Sequence, residues 1–281
     1  MKTFSKTPGA GEEFRPLDCP LCGGKSLKPH YSLPGAVYVR CRRCGLVFQC
    51  PQPEGAGVRQ RYDEAYFEYE KANEEAFYRL ARRGLDDLDF SRWGPEAGRL
   101  GPFLDIGCAT GLLPARLSQE GYAVEGLEIC LPAAEYARRR GGFPVHTRPL
   151  EEADLPRETY GIIHLSHVIE HVNDPAGLLR RLFDLLVPQG FLVITTPNLG
   201  GLQSLLFGKN WRSAIPDHLF LFTPATLKRT AARGGFRFVR SQTWGGLAEG
   251  LGPPWVKGIL DPLVKTLNWG DVMILLFRKA S

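Results

Sequence analysis

Beyond Pro102 the chain alternates short apolar runs with longer stretches whose apolar residues recur every three or four positions. Pro102–Ile106, Tyr122–Ile129, Pro144–His146, Tyr160–Ser166, Phe191–Thr196, Phe236–Trp244 and Asp271–Arg278 are the short runs, and each reads as a strand. The stretches between them read as helices. Leu112, Leu113 and Leu117 continue the first until Gln-Glu-Gly121 stops it. Pro132 opens a second at its first position, and Gly141-Gly142 closes it. Asp174 as N-cap and Pro175 open a third, with Leu178, Leu179, Leu182, Phe183 and Leu186 on one face and Pro188-Gln-Gly190 at its end. Thr223-Pro224 caps a fourth, stopped by Gly234-Gly235. The alternation predicts an α/β fold built on a doubly wound, seven-stranded, mostly parallel sheet. The last strand follows its predecessor without a full βαβ crossover, so it is expected to run antiparallel.

Upstream the pattern changes. Residues 1–15 read as a tail, 16–50 as a small cysteine-bearing ribbon, 51–101 as a linker and helical lid, and 102–281 as the main domain. Pro51–Gly57 is a linker by composition. Val58–Leu88 interleaves Tyr62, Tyr66, Phe67, Tyr69, Phe77 and Tyr78 with charges, which predicts one or two helices that either pack on the domain or cover its ligand. Ser91–Gly101 reads as a polar connection. Downstream, a long loop is expected from Pro197-Asn198 through Trp211 to His218, and an apolar helical stretch over Trp255–Trp269.

Composition narrows the class without naming a function. Of 281 residues, 43% are hydrophobic and 23% charged, ordinary for a globular chain with ample core. The net charge of +5 is spread out, so it permits nucleic-acid binding without arguing for it. The polar N-terminus carries no secretory signal, and no apolar run approaches the ~18 residues a membrane span needs. A soluble, cytoplasmic protein is expected, with its seven cysteines as thiols or metal ligands and not as disulfides.

Four of those cysteines form two pairs, Cys19-Pro-Leu-Cys22 and Cys41-Arg-Arg-Cys44, with eighteen residues between them. This spacing fits a structural zinc site. Each pair is followed by glycine and can make a knuckle that points two thiolates at one ion; four thiolates close a tetrahedron and leave no open position for chemistry. Cys50 and His30 are surplus to that set.

The candidate chemistry centres on the turn after the first strand, Asp105-Ile-Gly107-Cys-Ala109-Thr-Gly111. Glycines there let backbone approach a ligand, and the helix N-terminus offers unpaired N–H groups to an anion. A tight turn that holds nothing is the alternative. Ala109 interrupts the glycines, and its Cβ favours negative φ. Glu128 ends the second strand 23 residues after Asp105, where a carboxylate can accept from both hydroxyls of a ribose. A strand-end carboxylate facing water is the bland reading.

Leu-Asp105-Ile-Gly107-Cys-Ala109-Thr-Gly111 resembles motif I of the class I S-adenosylmethionine (SAM) methyltransferases. With His167-Val-Ile-Glu170-His171-Val-Asn-Asp-Pro175, Thr-Pro-Asn198 and Asp-His218-Leu-Phe-Leu-Phe-Thr-Pro224, the chain over roughly residues 100–280 is similar to their ubiquinone-biosynthesis-type branch. The resemblance implies a Rossmann-like fold and SAM as cofactor. Asp105, Gly107, Ala109 and Gly111 would take its methionine end, Glu128 and Ile129 its ribose side, and Glu151, with Glu152 as alternate, its adenine amine. Gly161 stands where the family often has Asp. The cysteine pairs are similar to zinc modules on some small-molecule and sugar methyltransferases. The chain ends at its seventh strand, which favours O-methyl over C-methyl transfer.

The family's Glu-x-x-Glu-His segment can bind a divalent ion beside the substrate; here it starts at His167, so a second divalent ion near Glu170 is implied with a changed ligand. If helical, the segment would put His167, Glu170 and His171 on one face. His167, His171 and His218 are the candidate bases, against purely structural roles for each. The expected function is methyl transfer to a hydroxyl of a small molecule, with oligomeric state open. An RNA methyltransferase reading, with Lys25, Lys28, Arg40, Arg42 and Arg43 on phosphates, and a non-catalytic SAM-binding adaptor are the rivals. No Asp/Asn-Pro-Pro-Tyr signature follows the fourth strand, which disfavours base-amine transfer.

Overall fold

The computed structural model describes residues 14–15, 17–53, 64–246, 264 and 267–280. At the N-terminus β1 (Phe14–Arg15) pairs with β5 (Gln52–Pro53), so the start of the expected linker is strand; residues 54–63 lie outside the described set. Between them β2 (Leu27–Leu33), β3 (Ala36–Cys41) and β4 (Val47–Gln49) form an antiparallel sheet.

Among the described residues of the aromatic stretch, which begin at Glu64, one helix runs, α1 (Glu64–Asp87). The expected polar connection at 91–101 is instead α2 (Phe90–Leu100), with Pro95 inside it. Tertiary burial overrides its poor helix composition. Phe90, Trp93, Gly94 and Ala97 share a buried face, and the Trp93 indole donates to the Leu88 carbonyl at 2.8 Å. The same contact explains Gly161: a Cβ there would lie 2.0 Å from the Ala97 carbonyl oxygen, so helix backbone rests directly on strand.

The alternating elements follow: β6 (Phe103–Ile106), α3 (Leu112–Gln119), β7 (Val124–Leu127), α4 (Leu131–Gly141), β8 (Val145–His146), β9 (Tyr160–Ser166), α5 (Pro175–Leu185) and β10 (Leu186–Pro197). The Asp174 side chain caps α5 through the Gly177 N–H at 2.8 Å. This helix ends earlier than its pattern predicts, because Leu186 already pairs with Tyr160 in the sheet; Pro188-Gln-Gly190 falls in the irregularity between Leu186 and Phe191. The expected long loop holds α6 (Leu202–Phe207) and a 3-10 turn at Gly208–Asn210. Asn198 pins it, donating to the Gly270 carbonyl at 2.8 Å and accepting from Gly200 N–H at 2.9 Å.

After β11 (Phe220–Leu221) come α7 (Pro224–Arg233), β12 (Phe236–Trp244) and β13 (Val272–Lys279). The main sheet has the order β12-β13-β10-β9-β6-β7-β8, parallel from β10 to β8. As expected, β13 runs antiparallel to both its neighbours, β10 and β12. The predicted helix over Trp255–Trp269 lies almost wholly outside the described residues. No described helix is long and apolar enough to cross a membrane.

The ribbon is joined to this fold through β11, which pairs antiparallel with β4 and makes it a four-stranded sheet. Cys19, Leu21, Cys41, Leu46 and Phe48 share one buried cluster with Leu178, Leu182 and Leu227.

Gly111 has φ +71, and a Cβ on it would meet Ala137 Cβ at 2.6 Å and Phe143 at 3.0 Å. Gly111→Ala combines left-handed backbone strain with overpacking and should cost about 2–4 kcal/mol of stability, read as a lower denaturation midpoint at unchanged m-value.

Candidate functional site

The turn from β6 into α3 carries three residues in left-handed backbone: Gly107 at φ 73, Ala109 at φ 47 and Gly111 at φ 71. Ala109 therefore does not take the negative φ its Cβ favours; the turn imposes the conformation of the glycine it replaces. This strain sits beside the one buried acid at the tip of β7. Glu128 accepts from the Ala109 N–H at 2.9 Å through Oε2 and from the Cys130 N–H at 2.7 Å through Oε1. Burial, aided by the negative charge of Asp105, pushes its carboxyl up to about 7 in spite of those donors.

Asp105 lies below the turn and faces inward. Its Oδ1 is 2.7 Å from Nδ1 of His164, its register partner on β9, and both side chains are buried. Ile129 follows Glu128 and is half-buried. Glu151 and Glu152 are exposed in a turn after β8.

Helix α1 lies against the same end of the sheet. Phe67 packs on Cys130 and Ala133 at the start of α4, and Glu74 grips Arg140 with two 2.7 Å bonds. Burial and the Glu128 carboxylate together raise Glu70 to about 7. Sequence reasoning did not single out Glu70 or Glu74; their only signal was the i, i+4 pair of acids among aromatics.

At the end of β9 the His167–His171 segment is a turn and not a helix, because His167 adopts φ 55. It nevertheless brings His167 Nδ1 to 3.0 Å from Glu170 Oε1. Glu170 is fully buried and takes a second bond from the Thr196 hydroxyl at 2.9 Å. Burial opposes its ionisation, but the hydrogen bond with His167 holds it down at about 2. His171 Nδ1 donates to the Asp217 carbonyl at 2.9 Å and His218 Nδ1 to the Ser213 carbonyl at 2.8 Å. Each bond puts a proton on Nδ1 of its ring, and the two rings meet edge-on at 4.7 Å. Burial and His171 lower His218 to about 3, so it is neutral at physiological pH. Glu170, His171 and His218 each offer one atom to a group that could hold a metal ion, all within 4.8 Å.

A second such group is formed by Cys19, Cys22, Cys41 and Cys44. Cys19 and Cys44 Sγ are 3.4 Å apart, Cys22 and Cys41 Sγ 3.6 Å. Backbone N–H groups of Leu21 and Cys22 point at the Cys19 sulfur, and those of Arg43 and Cys44 at Cys41. Against its burial, these donors bring the Cys41 thiol down to about 7. His30 and Cys50 are outside the group: Cys50 Sγ meets the Leu17 backbone.

Known proteins resemble this chain in sequence and in fold. A family model described as a methyltransferase domain matches residues 73–241. The ubiquinone biosynthesis O-methyltransferase of Rhodopseudomonas palustris (strain HaA2) is 34% identical over 115 residues, covering 39% of this chain and 41% of that protein. The protein of the same name from Ruegeria pomeroyi is 36% identical over 121 residues, covering 41% and 48%. The chain thus spans less than half the length of these curated relatives. In fold it resembles a SAM-dependent methyltransferase from Archaeoglobus fulgidus, with a TM-score of 0.54 and 22% identity over 76% of this chain and 99% of that one. The match of the family model across more than half of the chain, on a seven-stranded sheet of this topology, makes this protein a member of the class I SAM-dependent methyltransferase family.

Proposed function

We propose that the protein transfers the methyl group of SAM to a hydroxyl oxygen of a small molecule such as a sugar, a phenol or a quinone precursor. The observation that carries this reading is the buried Glu128 at the tip of β7, bonded across to the strained Ala109 turn. A carboxylate there can accept both hydroxyls of a ribose, while N–H groups of the turn and of the α3 N-terminus receive a carboxylate. Glu151 or Glu152 reaches the adenine amine from the exposed turn. When bound, SAM supplies a methyl already activated by its sulfonium. The chain's part is to hold an acceptor oxygen in line and take its proton, and orientation of this kind is worth up to ~7–11 kcal/mol.

Among the three histidines His167 is the strongest base candidate. Its side chain is 47% exposed, and its Nδ1 is backed by the ionised Glu170, which stabilises the imidazolium formed as Nε2 accepts the hydroxyl proton. His218 is too deeply buried for that role. His171 and His218 with Glu170 form a nitrogen-and-oxygen donor set suited to a divalent ion near the acceptor. At the ribbon the residues fit zinc: thiolates about 2.3 Å from an ion lie about 3.8 Å apart, close to the sulfur spacings observed, and N–H donors already face them. Zinc there is structural.

Incubation with isotope-labelled SAM and cell extract, split into RNA, protein, lipid and small-molecule fractions, tests the function; label in RNA alone would overturn it. His167→Ala should lower transfer by at least about 100-fold at unchanged SAM affinity. The pH dependence of SAM binding has a definite sign. Ribose hydroxyls donate to the ionised Glu128, and below its raised value of about 7 the proton competes with them. Affinity should therefore rise about tenfold from pH 6 to pH 8 and level off above; calorimetry across that range checks it, and a flat profile contradicts it.

A further inference from the structure

We propose that the cysteine ribbon is a working part of the acceptor side of the site, with Tyr38 as the positioning residue that fixes the loop carrying His218. Tyr38 lies on β3, three residues before Cys41, and is fully buried. Its hydroxyl reaches two carbonyl oxygens of that loop, Ile215 at 2.6 Å and His218 at 2.5 Å. Its ring packs with Trp211 and Ala214. The ribbon holds the next residue as well: the Gln49 N–H donates to the Leu219 carbonyl at 2.8 Å, and Gln52 Nε2 reaches the same oxygen at 3.5 Å. From the other side the Glu170 carbonyl accepts from the Leu219 and Phe220 N–H groups at 2.8 and 3.1 Å. The loop is thus strung between the ribbon and the His167–His171 turn.

This suspension bears on chemistry because the loop's own carbonyls set the two imidazoles. Asp217 O takes the His171 Nδ1 proton and Ser213 O takes that of His218. A loop displaced by loss of its ribbon donors no longer presents those acceptors, and each ring is then free to carry its proton on either nitrogen. Removing only the Tyr38 hydroxyl would leave the Ile215 and His218 carbonyls short of a buried donor while the ring still fills its space. The proposal rests on the methyl-transfer reading for its catalytic consequence alone; the tautomer consequence stands apart from it.

The test is Tyr38→Phe in the full chain, freed of divalent ions other than zinc so that no metal on Nε2 fixes the two rings, with zinc content measured alongside. Long-range proton–nitrogen NMR of the imidazoles should show His171 and His218 as single Nδ1-protonated tautomers in the parent and as mixtures in the variant. SAM affinity should stay within about twofold, and label transfer to the small-molecule fraction at saturating SAM should fall about tenfold. Unchanged tautomers overturn the proposal, whether transfer falls or not. A parent protein that moves no label sinks the function reading, and the tautomer signals then still decide the role of Tyr38. If Tyr38→Phe does not fold, Gln52→Met, which loses the 3.5 Å bond to the Leu219 carbonyl and the 3.5 Å bond accepted from the Asn173 amide, is read in the same way. A minor second tautomer on His218 supports the proposal, and parent-like signals overturn it.

Discussion

Glu128→Gln should weaken SAM binding by about 100-fold at pH 8, since two hydrogen bonds to an ionised acceptor are worth about 3 kcal/mol together. The substitution keeps the shape of the side chain and removes its charge. The fold should tolerate it. Burial raises Glu128 to about 7, so the native state binds a proton that the unfolded chain, titrating near 4.5, has already lost between those values. Stability from this group therefore falls as pH rises through that window, and above pH 7 the ionised carboxylate is held at a cost to the fold. Removing the charge removes that cost, while the new amide NH2 faces one of the two N–H groups at Ala109 and Cys130. The opposed effects should leave the melting temperature within a few degrees. Lost affinity in a stable protein marks a ligand-binding acid; equal loss of both would mark a structural one.

Cys41→Ser should have the largest effect on stability, several kcal/mol, together with loss of bound zinc. The cysteine group anchors β3 and the knuckles, and these share a buried core with α5 and α7. A ribbon of this size cannot draw enough folding energy from its own apolar residues. Opening the group also releases Tyr38 and the donors on β4 from the loop at 213–219. Metal analysis and thermal melts of parent and variant check this, and a parent that carries no zinc and melts like Cys41→Ser contradicts it.

The elements legible in advance were those whose signals are local. The strands at Phe103–Ile106 and Tyr160–Ser166 are short apolar runs, and the Asp174-Pro175 and Thr223-Pro224 starts carry their own caps. Helix α2 was illegible because glycines and Pro95 mask it; only contact with β9 and Tyr122 makes those small residues favourable. The early end of α5 depended on Leu186 finding a strand partner 26 residues upstream at Tyr160. At the site, Glu128 and the cysteine pairs were visible as spacing. The inward turn of Asp105 toward His164 was not, since a strand pattern does not say which neighbour a side chain meets. Nor could any periodicity show that His167 takes a left-handed φ, or that Glu70 of α1 comes near Glu128. Those relations are set by tertiary packing between segments far apart in the chain.

A crystal structure grown with SAM at pH 8 tests the central claim most directly. The expected result is one SAM molecule with its ribose hydroxyls about 2.6–3.0 Å from the Glu128 oxygens and its amino-acid carboxylate on backbone N–H groups of the Gly107–Gly111 turn. SAM bound elsewhere, or a turn that closes on itself with Glu128 still satisfied only by Ala109 and Cys130, would contradict the account.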